Sequence, residues 1–166
     1  MHVRRPALTS ALVAGALLTL AACSQDKVVS NASLSARVAQ QQRMRTPDLT
    51  VGDVTCAKLR AKLGATAVCT VHVDVVDLTV QATYNGPDAV TLMPTRAAID
   101  LVRAVQDVKA RLPAGAGTDV TCGPAGSKVL VLDPGATFTC TYTFAGAAKI
   151  VTFRVLDVDG NVKEID

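Results

Sequence analysis

The chain has 166 residues, 17 Lys and Arg against 14 Asp and Glu, and a formal charge of +3. Two of the basic residues, Arg4 and Arg5, fall in a segment expected to be removed, so what remains is close to neutral and offers little to the phosphates of a nucleic acid. With no Trp, two Tyr and three Phe, platforms for stacking bases or sugars are equally disfavoured.

The N-terminus reads as a signal peptide over residues 1–22: Arg4-Arg5, then an apolar run from Ala7 to Ala22 that is too short for a comfortable membrane span. It ends in Leu20-Ala21-Ala22-Cys23, which resembles the lipobox of bacterial lipoproteins. That resemblance implies acylation of Cys23, with palmitate-type chains holding the protein to the membrane and the rest facing the outside of the cell. Attachment of this kind needs at least two chains, since one anchors only reversibly. Residues 23–30 are expected to form a short lipidated tether.

Ser30 to Arg45 contains no Gly or Pro and many helix formers, which predicts a helix ended by Thr46-Pro47. Next comes Asp53-Val54-Thr55-Cys56, then Gly64-Ala65-Thr66-Ala67-Val68-Cys69-Thr70. Nearly the same text returns as Asp119-Val120-Thr121-Cys122 and Gly135-Ala136-Thr137-Phe138-Thr139-Cys140-Thr141. Such recurrence marks an internal duplication, with a first α+β repeat at 31–93 and a second at 94–166. Units of this size have marginal apolar cores and commonly need covalent staples.

In the first copy Ala67, Cys69, Val71, Val73 and Val75 alternate with Val68, Thr70, His72, Asp74 and Val76, the period of a strand with one buried face. Leu78 to Tyr84 repeats the alternation after a turn near Asp74–Asp77. Asn85-Gly86-Pro87-Asp88 is a second turn, and Ala89 to Met93 a third strand. The second copy is expected to open with a helix from Arg96 to Leu112. Ala98, Leu101, Val105, Val108 and Leu112 would form its apolar stripe, and Arg96, Asp100, Arg103, Asp107 and Arg111 an exposed face laced by weak ion pairs. Pro113 to Gly117 ends that helix. Val129 to Leu132, Phe138 to Phe144, Lys149 to Val158 and Val162 to Ile165 read as strands, the last two joined at Asp159-Gly160. The fold class is thus α+β: two tandem small repeats, each an N-terminal helix packed on a three- to four-stranded antiparallel meander.

Cys23 accounts for the odd member of five cysteines. Of the three pairings open to the other four, the duplication selects Cys56 with Cys69 and Cys122 with Cys140, one bridge inside each copy. These cysteines stand 13 and 18 positions apart with only His72 nearby, which does not suit a zinc site. Bridges suit an oxidising compartment.

A lipobox, a helix, Asp-Val-Thr-Cys, Gly-Ala-Thr-x-x-Cys-Thr, two strands and a closing Asp-Gly-Asn hairpin together resemble the family of unknown function DUF4333, found in secreted proteins and lipoproteins of high-GC Gram-positive bacteria. The resemblance extends over about residues 31 to 166 and is best in the second copy. It implies a small α+β unit with one disulfide and no assigned activity.

Catalytic chemistry has little to build on. His72 is the one histidine of the mature chain, with Asp74 two residues away on the same strand face. No Gly-x-Ser-x-Gly occurs and no cysteine is left as a nucleophile. Asp157-Val158-Asp159-Gly160-Asn161 has its glycine two positions early for a calcium loop, and the glycine-rich turns lack the setting of a phosphate loop. The expectation is a non-enzymatic, cofactor-free lipoprotein of the cell envelope, on the extracytoplasmic face of the cell membrane, that binds an envelope protein or a wall polymer and no nucleic acid. A small hydrolase using His72, or a structural spacer, is the alternative.

Overall fold

The computed structural model describes residues 27–165; the expected signal peptide at 1–22 and the lipidation position Cys23 lie outside them. The described chain is mixed helix and antiparallel sheet, mostly strand. In order it forms α1 (Asn31–Arg45), β1 (Val51–Cys56), β2 (Thr66–Val73), β3 (Val76–Gly86), β4 (Ala89–Pro94), β5 (Ala97–Asp100), α2 (Leu101–Lys109), β6 (Thr121–Cys122), β7 (Val129–Leu132), β8 (Thr137–Phe144), β9 (Ala147–Val155) and β10 (Val162–Ile165). Among the described residues no helix is long and apolar enough to cross a membrane.

Strands β1 to β4 form an antiparallel meander in the order β1-β2-β3-β4. The period-two pattern of β2 is realised directly: Ala67, Cys69, Val71 and Val73 are buried, and Leu78, Val80 and Ala82 of β3 join them. Helix α1 closes this core with Leu34 and Val38. Its end is fixed by Thr46, whose N–H and hydroxyl both return to the Gln42 carbonyl, and Pro47 prevents another turn. Two side chains tie α1 to the far strand and the turn before it. Arg37 Nη1 donates to the Asp88 carbonyl at 2.9 Å, and Gln41 Nε2 to that of Leu92 at 3.3 Å.

The expected helix over Arg96–Leu112 is corrected. Its first residues form β5, paired with β7 (Ala97↔Leu132, Asp100↔Val129), and the helix starts only at Leu101. Asp100 is therefore no member of an exposed charged face. It is a buried N-cap whose Oδ1 accepts from the N–H groups of Val102 and Arg103, both at 3.0 Å. Arg96 and Arg111 also pair beyond their own segment, with Asp133 and Glu164. Long-range strand pairing has overridden local helical periodicity.

The β5–β7 ribbon has two apolar faces. Ala98, Val129 and Val131 face the core under α1, while Ala97, Ile99, Leu130 and Leu132 face a second core with Leu101, Val108, Phe138, Phe153 and Val155. That second core lies under a sheet in the order β10-β9-β8-β6. Each sheet carries a cross-strand disulfide between register partners. Cys56 on β1 is bonded to Cys69 on β2, and Cys122 on β6 to Cys140 on β8, both with Cα atoms 4.0 Å apart. No strand is expected from sequence at Val51–Cys56 or Thr121–Cys122, yet both exist as edges stitched to their neighbours.

Candidate functional site

Helix α2 presents Leu101 and Val108 to the second core and stands between two concave surfaces. On its β6 side lies a cavity of about 410 Å³ lined mainly by aliphatic groups of Leu101, Val105, Val120 and Cys122, with Gln106 and Lys109 at the rim. On its β10 side two spaces of about 390 and 350 Å³ share Ala104, Asp107, Phe138 and Val162, making one trench along the helix. The trench combines an aromatic floor with converging charged groups, the usual mixture of a binding cleft.

Its floor is the stacked pair Phe138 and Phe153, with ring centroids 5.2 Å apart. They meet because β8 and β9 place them directly opposite one another. Arg111 crosses above. Its Nε donates to the Asp107 carbonyl and its Nη1 to Glu164 Oε2, each at 3.0 Å, and its guanidinium carbon lies 5.8 Å from the Phe153 centroid. Both ends of the Arg111–Glu164 pair are about half exposed, so the link costs little to open.

At the other end, Arg45 from α1 meets Asp159 in the β9–β10 turn at 2.6 Å. That turn is organised by Asp157. Its Oδ1 accepts from the N–H groups of Asp159 and Asn161, and its Oδ2 from the Asn161 side-chain amide. The Asn161 amide, helped by these backbone donors, holds the Asp157 carboxyl below the usual range. Gly160 has φ +86° and a Cβ there would lie 3.0 Å from the Ala98 carbonyl, so glycine is required by conformation and by contact with β5. The expected Asp159-Gly160 turn is thus real, but built as an Asp157-centred loop closed by Leu156 N–H to Asn161 O at 2.8 Å. Asp100 Oδ2 is buried at the base of this end without a hydrogen-bond partner.

His72 lies elsewhere, on the exposed face of the first sheet. Its partner is not Asp74 but Asp77, which the β2–β3 register sets opposite it, with Nδ1 2.8 Å from Oδ1. That hydrogen bond raises the imidazole pKa above its ordinary value of 6.5. Asp74 adopts φ +48° and accepts from Thr50 N–H at 3.1 Å, organising the hairpin. Among the described residues no group of three or more His, Cys, Asp or Glu could hold a metal ion. Sequence reasoning missed Arg45, Arg111, Phe153 and Glu164 as neighbours; the one local signal was the pairing of aromatic strand residues with a nearby charged helix face.

Residues 90–160 match the family described as Domain of unknown function (DUF4333). The matched span runs from β4 to Gly160 and takes in α2, Arg111 and both aromatic floor residues, stopping before Val162 and Glu164 on β10. No curated protein and no solved structure matches the chain.

Proposed function

We propose that this protein is a non-catalytic lipoprotein of the cell envelope, anchored through Cys23, that uses the trench beside α2 to hold an extended segment of another envelope protein. On this reading the chain is a tandem duplication, and only its second unit keeps the trench open. The two sheet orders, β1-β2-β3-β4 and β6-β8-β9-β10, support the duplication, with a disulfide between the first two strands of each and a helix ahead of it.

The observation that carries the reading is the contrast between the helices. The 15-residue α1 reaches the carbonyls of the fourth strand and its turn through Arg37 and Gln41, whereas the nine-residue α2 stops short, and only Arg111, just past its end, reaches β10 through the exposed pair with Glu164. What α1 covers in the first unit, α2 leaves as a cleft. Strand β10 is an edge of its sheet, so an extended peptide beside it would find unpaired backbone groups next to an aromatic floor. The two disulfides fit an oxidising location.

The test places a photo-crosslinking residue at Ala104 or Val162 in the full chain expressed in its own host, with Val68 on the exposed face of the first sheet as control. A discrete protein adduct from the trench positions and none from Val68 is the expected result. Carbohydrate adducts would transfer the reading to a wall polymer, and equal labelling at all three positions would overturn it. Loss of a palmitate label and release from membranes on Cys23→Ala tests the anchor separately.

A further inference from the structure

We propose that the end of the first sheet nearest Lys27 is a membrane-docking face, which seats the folded body on anionic lipid headgroups around its own anchor. This rests on the reading of Cys23 as the lipidated residue. Four residue steps separate Cys23 from Lys27, and a residue spans at most about 3.6 Å, so the two Cα atoms can lie no further apart than roughly 14 Å.

From Lys27 onward the chain is already bound to the fold. Ala61 N–H donates to the Lys27 carbonyl at 2.6 Å, Val29 N–H donates to that of Leu59 at 2.8 Å, and Val28 bridges Arg60. Leu59 is fully buried, so the segment from Ala57 to Ala65 is fixed to the first core. It is the part of the fold that the anchor carries closest to the lipid.

Its chemistry suits that position. Lys27, Lys58, Arg60 and Lys62 are exposed, and Leu63 is 75% exposed. A turn closed by Ala65 N–H to Lys62 O at 2.9 Å projects Leu63 among the cations. Basic side chains around an apolar tip are the composition of an interfacial anchor. Among the described residues the acid at this end is Asp88 in the β3–β4 turn, where Arg37 also sits, and in the sequence Asp26 precedes Lys27. Asp48, Asp53, Asp74 and Asp77 lie toward the opposite end, around the β2–β3 hairpin, with Arg43 and with Arg45, which is paired to Asp159. The first unit is therefore electrically polarised, its basic pole at the anchor. Each basic side chain held at an anionic leaflet raises residence there roughly fivefold, so two of them account for about 25-fold.

The experiment uses the acylated full-length product purified from membranes and reconstituted into vesicles that carry a headgroup quencher. A fluorophore is attached at Ala57→Cys or, at the far hairpin, at Val75→Cys. In vesicles rich in phosphatidylglycerol the label at 57 is expected to be quenched and that at 75 to stay bright. Lys58→Glu with Lys62→Glu should lower the ratio of docked to undocked protein by at least about 25-fold, as should replacement of the anionic lipid by phosphatidylcholine. Lys149→Glu with Lys163→Glu in the second unit should change nothing. Equal quenching at both labels, or indifference to charge reversal, overturns the docking face while leaving the anchor intact. A purified product whose mass shows no acyl chains overturns the anchor, and the docking face with it.

Discussion

Val129 belongs by sequence to the second half of the chain, yet its side chain is buried in the core under α1. Val129→Ala removes two methyl groups, about 1.6 kcal/mol of transfer free energy at roughly 0.8 kcal/mol per buried carbon. The space left behind adds to this, bringing the expected loss to about 2–3 kcal/mol. If the β5–β7 ribbon is a shared wall, that loss appears in the first sheet. Amide hydrogen exchange at Val71 of β2, which pairs with Leu78, and at Val80 of β3, which pairs with Cys69 and Pro94, should accelerate about 30- to 150-fold. Leu130→Ala, on the opposite face of the ribbon, should act instead on Cys140 and Val151 in β8 and β9. Unchanged protection of Val71 and Val80 in the Val129→Ala protein would refute the shared wall and leave the ribbon an appendage of the second core.

Replacing Cys122 and Cys140 together by Ala should cost about 3 kcal/mol, and the Cys56/Cys69 pair nearly as much, because loops spanning 13 and 18 positions differ little in closure entropy; thermal melting of the two variants checks both values. Asp100→Ala removes the cap of α2 and should cost about 1 kcal/mol, while Asp100→Asn, an equally good cap, should retain most of that stability in denaturant titration. The His72 ring should titrate above 6.5 by NMR and fall back toward that value in Asp77→Asn. Since its folded pKa is raised, the stability it contributes is fully present below the unfolded pKa and is lost as pH rises through the folded one.

Much of the architecture was legible because burial on one face imprints a period of two. The alternations of Ala67–Val73 and Phe138–Phe144 gave β2 and β8 directly, and the duplicated cysteine text gave the pairings now seen across β1–β2 and β6–β8. The Arg96–Leu112 error has a definite cause: Ala98 falls in helical register with Leu101, Val105 and Val108, and nothing local announces a strand partner some thirty residues on. Asp100 is ambiguous for the same reason, since a cap and a surface acid look alike until the helix start is known. Strand parity alone sets His72 beside Asp74, whereas the tight turn at Asp74-Val75 puts Asp77 opposite it. The trench was not legible at all. Arg111 with Glu164 and Arg45 with Asp159 are joined only by tertiary structure.

Each sulfur bridge ties an outermost strand to its neighbour, and one of those outer strands, Thr121–Cys122, is only two residues long. So few ladder bonds cannot hold a strand in water, so before oxidation the outer margin of that sheet would hang loose. A chain kept in reducing surroundings would leave that margin slack, and tighten it only where thiols can be oxidised. The rigidity of that edge becomes a function of redox surroundings: the same residues are pliable as thiols and held once the bond has closed.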